Sequence, residues 1–186
     1  MLGDKKAAQA VYASALNGGD HTSAADARTL MLPLLLAREV IERSRKEVEK
    51  RLVVLAKALG VSAWIMEQRG VGLLSLAAIV GEAGNLSDYA NPAKLWKRMG
   101  LAVINGERQR KVAGDAALDH GYSPRRRSIM WTIGDCIVKA GGPWRDLYDA
   151  RKALELTRVA TKGHAHNRAK RYVEKRLLRD LWRAWR

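Results

Sequence analysis

Between Ser23 and Gly60 the apolar side chains keep the period of a helix over a longer run than a small domain can cover. Leu34, Ala37, Ile41, Val48, Leu52, Leu55 and Leu59 recur at steps of three, four or seven residues, which places them on one stripe. The other faces are dense with charge, from Glu39, Glu42 and Arg43 through Arg45, Lys46, Glu47, Glu49 and Lys50. Ser23-Ala-Ala-Asp26 resembles a capping box, Gly60 stands where a helix closes, and Pro33 either lies in the first turn or kinks the helix. A helix of about 28 residues spans about 40 Å at 1.5 Å per residue, so part of its stripe needs a partner. Leu34, Ile41, Val48 and Leu55 make a good heptad row, whereas the companion row of Ala37, Ser44, Arg51 and Ala58 is poor. The pattern predicts a coiled-coil arm that joins two copies through residues 30–59. An intramolecular hairpin, or a helix lying along its own domain, is the alternative.

Residues 1–23 are poor in large apolar side chains and include Asn17-Gly18-Gly19-Asp20, which predicts a flexible lead-in. Beyond the arm the helical patterns are short. Two lie within Trp64–Ala83, joined by Arg69-Gly70-Val71-Gly72, and another covers Ala93–Met99 and stops at Gly100. Asn85–Pro92 reads as a loop, and residues 104–124 are rich in turns. Ala102–Val112, across Asn105-Gly106, is the one place for a β-hairpin. Helices resume over 125–140, 144–160 and 166–186, separated by Gly141-Gly142-Pro143 and Thr161-Lys162-Gly163. The expected fold class is all-α with at most one small β-hairpin. Its parts are a flexible segment (1–23), a helical arm (24–60), a helix-hairpin-helix DNA-binding domain (61–140) and a basic helical extension (141–186).

The chain contains no Phe, so Leu, Ala, Val and six Trp must build the core. Its formal net charge is +15, and residues 97–186 hold +13 of it. Charge gathered in one half creates a directed field, and the commonest polyanion it serves is DNA or RNA. Anionic membrane is the rival, but no window reaches the roughly 18 apolar residues of a membrane span. The N-terminus also lacks the order of a secretory signal. The single cysteine, Cys136, allows no internal disulfide and fits a reducing compartment. Its apolar neighbours Ile133, Ile137 and Val138 predict a core position. The expected location is the cytoplasm of a bacterial or phage-infected cell, close to the nucleoid.

The segment Trp64-Ile-Met-Glu-Gln-Arg69-Gly70-Val71-Gly72-Leu-Leu-Ser75-Leu-Ala77 reads as a helix-hairpin-helix, with Leu73, Leu76, Ala77 and Ile79 as its packing face. One glycine allows the tight turn. The other lets backbone N–H groups approach a phosphate with no Cβ in the way. The second helix then aims its N-terminus at that phosphate, with Ser75 adding a hydroxyl and Arg69 a charge. These contacts ignore base identity, so Arg69, Gly70, Val71, Gly72 and Ser75 are candidates for backbone binding. The last helix gives a second signal. At 100° per residue, Arg168, Arg171, Lys175, Arg179, Arg183 and Arg186 fall within an arc of about 120°, opposite Ala169, Val173, Leu177, Leu181, Ala184 and Trp185. A phosphate-tracking helix looks like this. So does a membrane-surface helix with Trp182 and Trp185, while a merely solvated face usually mixes signs. Arg125, Arg126 and Arg127 add positive charge, as do Arg108, Arg110 and Lys111. His164-Ala-His166 lacks metal-ligand spacing and a cysteine or carboxylate partner. It predicts a loop with two histidines, and no metal or cofactor is expected. The tryptophans are expected to pack, with Trp96, Trp144 and Trp182 open to base stacking where exposed.

Arg69-Gly-Val-Gly-Leu73, then Ala77-Ala-Ile-Val-Gly-Glu-Ala-Gly-Asn-Leu86, Tyr89-Ala-Asn-Pro-Ala-Lys-Leu95 and Gly100-Leu101 form an ordered series of motifs. The series resembles the C-terminal domain of the DEDD-type insertion-sequence transposases, the recombinases guided by a bridge RNA. The resemblance covers roughly residues 30–140, and its specificity lies in the combined order. In that family a long coiled coil precedes the domain, as residues 30–59 do here. A basic, glycine-containing segment and further helices follow it, as Arg108–Ala140 do. Two departures limit what the resemblance implies. Family members carry an N-terminal ribonuclease-H-like domain with four metal-binding acidic residues, whereas the residues ahead of the arm hold only Asp4, Asp20 and Asp26. The family's nucleophilic serine follows the Gly-Leu step closely, and Ala102–Arg110 contains no serine. Ser123 and Ser128 are the nearest hydroxyls and poor candidates. The resemblance therefore implies a DNA-binding, transposase-like dimer of phage or mobile-element origin, serving transposition or recombination but without catalysis of its own. The alternatives are a recombinase subunit active with a partner chain or guide RNA, and a module that binds structured RNA.

Overall fold

The computed structural model describes residues 22–186 and, ahead of them, residues 6, 7, 9, 10, 13, 14 and 17; within the first helix, side chains are described at Thr29 and from Met31 on. Most of the expected lead-in, and the side chains of the Ser23–Asp26 box, lie outside the described residues. The chain divides into two units, Met1–Lys50 and Arg51–Arg186. Helix α1 (Thr22–Lys57) runs through Pro33 without a break. Its polar side chains pair along the helix, Arg43 with Glu39 at 3.3 Å and Arg45 with Glu42 and Glu49 at 2.6 and 3.1 Å. These are neighbours one turn apart, and each exposed pair adds a few tenths of a kcal/mol, on the order of 0.3–0.5. Gly60 does not close α1. The helix stops at Lys57, where Ala58 and Leu59 donate to Leu55 and Ala56 over a tightened three-residue turn.

The second unit contains α2 (Ser62–Glu67), α3 (Leu73–Ala83), a single 3₁₀ turn (Leu86–Asp88) and α4 (Pro92–Arg98). A two-stranded sheet of β1 (Val103–Ile104) and β2 (Glu107–Arg108) comes next. The remaining helices are α5 (Ala116–His120), α6 (Pro124–Ala140), α7 (Pro143–Leu156) and α8 (Lys162–Trp185). The fold is nearly all helical with one small hairpin, as the periodicities predict. Helix α5 falls in the stretch that reads as turns. Five residues are too few to show a helical period.

Helix α8 is the centre of this unit and packs against α6, α7, α4 and the 3₁₀ turn. Val173, Leu177, Leu178 and Leu181 lie on its inner side and meet Ile65, Leu76, Ile79, Leu86, Leu95, Met130 and Ile137 in one core. Burying each such side chain contributes roughly 1.5–3 kcal/mol. The core therefore joins residues on both sides of the expected boundary at 140. Residue types chosen for caps and turns hold the helices in place. Asn91 caps α4 by accepting from the Lys94 amide, Ser123 caps α6 through Arg126, and Thr161 caps α8 through His164. Gly141 and Gly142, at φ 74° and 81°, reverse the chain before Pro143 starts α7.

Two further expectations fail. His164 and His166 sit in the first turns of α8 rather than in a loop, because the Thr161 cap starts the helix early. Cys136 is exposed: Gly134 and Ile137 take the inner face of α6, which leaves the thiol outside.

Candidate nucleic-acid interface

The hairpin forms where Asn105 and Gly106 both accept positive φ, 51° and 79°. This is the two-residue turn whose twist suits a β-ribbon. Val103 then pairs with Arg108 and Ile104 with Glu107. Gln109 fixes the hairpin's base. It is 2% exposed, and its side chain accepts from the Ala102 amide and donates to the carbonyls of Lys97 and His120. Four segments thus meet at one amide, and the ribbon's direction follows from that.

Two grooves flank the ribbon. The first, about 920 Å³, is bordered by Ala102, Val103 and Ile104 of the β1 side. Lys94, Lys97 and Arg98 of α4 also line it, with Arg126 of α6, Lys175 of α8 and, among the described residues, Asp88 as its one acid. The second, about 650 Å³, is bordered by Arg108, Gln109 and Arg110 of the β2 side, with Arg127 and Trp131 from α6 and Arg168 and Arg171 from α8. Among the described residues no carboxylate lines it.

Buried acceptors hold several of these cations from behind. Arg127 Nη1 lies 2.9 Å from Glu174 Oε2, and Arg168 Nε lies 2.7 Å from Glu155 Oε2. Neither glutamate is exposed. Arg151 pairs with Glu155 from another side. Arg171 donates to the Ala102 carbonyl at 2.9 Å, and its burial beside Arg127 lowers its pKa from the usual range. Burial also lowers the Lys175 pKa, with Arg171 adding to the effect; its ammonium lies 5.2 Å from the Trp96 ring centre. Anchoring fixes the guanidiniums before any ligand arrives, so binding costs less side-chain ordering. It also offsets part of their charge.

The structure brings together some of the expected binding residues and separates others. Arg126 and Lys175 line the first groove; Arg108, Arg110, Arg127, Arg168 and Arg171 line the second. Arg69, Gly70, Val71, Gly72 and Ser75 line neither. The helix-turn-helix exists there as α2 and α3, but Gly70, at φ 85°, faces α6. A Cβ on it would stand 2.8 Å from Ala140 Cβ and 2.9 Å from the Cys136 carbonyl. Val71 is buried, Ser75 is half-buried, and Arg69 lies against Gly142. Lys111 and Arg125 are exposed outside both grooves, Arg125 within 2.5 Å of Glu82. Arg179 and Arg183 turn to Asp180, at 2.7 and 3.8 Å. The ridge of α8 is thus not a bare cationic face. Its middle, at Arg171 and Lys175, is tucked into the fold, because Lys170 and Glu174 are buried along with the apolar side.

Sequence reasoning missed Lys94, Lys97 and Arg98. Their signal was present, Lys94 one turn ahead of the adjacent Lys97 and Arg98 behind an Asn-Pro cap. Trp131, 41% exposed in the second groove, was also missed. The three tryptophans named for stacking only where exposed are half-buried and spend their indole N–H groups inside the fold: Trp96 on the Lys175 carbonyl, Trp144 on Gln68 and Trp182 on the Tyr89 carbonyl. His166 Nδ1 meets the Tyr148 hydroxyl at 2.5 Å, and burial together with Lys170 lowers its pKa. Among the described residues no group of three or more His, Cys, Asp or Glu is placed to hold a metal ion, and no helix is long and apolar enough to cross a membrane. Comparison with family models, with curated proteins and with solved structures finds no match to this chain in any of the three.

Proposed function

We propose that the protein binds DNA, contacting the phosphate backbone through the two basic grooves beside its hairpin, as a transposase-like factor that performs no chemistry of its own. The observation that carries this reading is the convergence of cations from α4, α6, α8 and the hairpin on two concave surfaces that share one ribbon. Phosphates are the ligands such surfaces suit, and guanidiniums fixed by buried carboxylates present donors at set positions. The order of motifs from Arg69 to Leu101 supports the transposase-like assignment. The absence of serine from Ala102–Arg110 is what supports the lack of chemistry, and Ser123 beyond it caps α6 by accepting from the Arg126 amide. The helix-hairpin-helix serves as packing in this reading, and the grooves take over its expected role.

A salt series tests the proposal. Lys94, Lys97, Arg108 and Arg110 are exposed, and none is paired with a buried partner. Changing all four to Gln should leave the fold intact. It should also lower the slope of log K against log salt by about three to four units, at about 0.9 per phosphate contact on duplex DNA. The loss should be alike for unrelated sequences. Changing Arg179 and Arg183 to Gln should move the slope little. An unchanged slope in the quadruple variant would overturn the proposal.

A further inference from the structure

We infer that the β1–β2 hairpin enters the major groove of duplex DNA, with the two strands' phosphate backbones seated in the grooves on either side and Asn105 and Glu107 at its tip reading base edges. The inference rests on the DNA reading above and names how that ligand lies. β1 borders the first groove and β2 the second, so the ribbon is the wall between them, and Val103 faces both. A major groove about 12 Å wide admits a two-stranded ribbon, and its rims are the two phosphate backbones. A ribbon flanked by two cationic channels is the complement of that shape.

The charges are arranged to match. Most cations of the two grooves come from α4, α6 and α8, while the ribbon carries Arg108 on β2 and Asn105, Gly106 and Glu107 at its tip. A carboxylate at the point of insertion would be repelled by phosphates and by the strongly negative minor groove. In the major groove it can accept from a cytosine amino group, and an asparagine can pair with adenine. Glu107 keeps Arg110 within 3.1 Å, so the acid enters with its own counter-charge. Val103 is 58% exposed beside the tip and contributes nothing to the core, but it can meet a thymine methyl. Insertion also needs direction. Gln109 supplies it by tying the ribbon to α4 and to the end of α5.

Competition tests this on the full chain bound to a labelled duplex at low salt. Methyl green, which occupies the major groove, should displace the protein, and netropsin, which occupies the minor groove, should not. Next, a preferred sequence is selected from a random duplex pool. The wild type should hold it at least about tenfold tighter than a scrambled duplex, the range expected for one or two base-edge contacts. Asn105→Gly keeps the positive φ that the turn requires, and Glu107→Ala is exposed, so the double variant should fold. It should bring the preference to within about threefold while binding scrambled duplex at least as tightly as the wild type, since it loses a carboxylate at the tip and no cation. Displacement by netropsin alone, or a sequence preference untouched in the double variant, would overturn the hairpin's placement and leave the DNA reading standing. A preference for structured RNA or forked DNA over intact duplex would also overturn the placement. Failure to bind any duplex at low salt would overturn both.

Discussion

Glu174 sits on the inner side of α8 against Gly134 of α6, where a Cβ would stand 2.6 Å from its Oε1. Only glycine lets the two helices meet there with a carboxylate between them. Burial raises the Glu174 pKa from 4.5 to about 7, against the pull of Arg127 on α6 and of Lys170 and Arg171 on α8. The consequence for stability has a definite sign. Between these two values the native state holds a proton that the unfolded chain has released, so stability falls as pH rises from about 4.5 to 7 and then levels off. Glu174→Gln removes the titrating group. Denaturant unfolding from pH 4.5 to 8.5 should show the variant gaining on the wild type across that window, by a few kcal/mol at about 1.4 kcal/mol per pK unit. The depressed His166 pKa acts in the opposite direction in both proteins and cancels in the comparison. A constant difference between wild type and variant would mean that Glu174 stays charged throughout.

At the scale of elements, the two glycines between α2 and α3 differ in what lies against them. Gly70 has positive φ and backbone of α6 within 3 Å of any added Cβ, whereas Gly72 is extended with nothing within 4 Å. Gly70→Ala should cost about 2–4 kcal/mol, from the left-handed conformation and from overpacking. Gly72→Ala should stay within about 1 kcal/mol of wild type, as at an open helix cap. Thermal unfolding of the two variants checks both. A Gly72→Ala variant as damaged as Gly70→Ala would refute this division. The same pair shows what the sequence makes legible. Helix periods, the Asn105-Gly106 turn and the Gly-Gly-Pro break are local patterns, and each is found where its residues place it. Which side of a helix faces a neighbour is not local. Gly-x-Gly reads equally well as a phosphate hook or as a close helix crossing, and only α6 lying against Gly70 decides. The groove cations were legible as charge, but α4's share was hidden because Lys94, Lys97 and Arg98 line a site only once β1 folds beside them.

At the scale of the whole molecule, α1 presents an uncovered apolar row. Leu34, Ile41, Val48 and Leu55 are 55–70% exposed in a single chain, and they form the heptad row. An exposed apolar stripe along a 36-residue helix is a liability for a lone copy and an interface for two. We propose a dimer through α1. Sedimentation at micromolar concentration should give twice the chain mass, and Ile41→Asp with Val48→Asp should halve it. A dimer carries two hairpins on one particle, so the monomeric variant should also bind long duplex at least about tenfold more weakly, through lost avidity. A wild-type chain that sediments as a monomer at high micromolar concentration would exclude the arm as a dimer contact.

Among the described residues Trp131 is the one tryptophan left exposed, and the wholly buried Lys170 sets its ammonium 3.2 Å from the ring centre. Its indole therefore borders solvent in the second groove while a fixed charge touches it from within the fold. A strand lying in that groove would change what surrounds the ring. The molecule thus carries its own optical gauge: the part of its tryptophan emission that Trp131→Phe removes reports the filling of that groove without any dye.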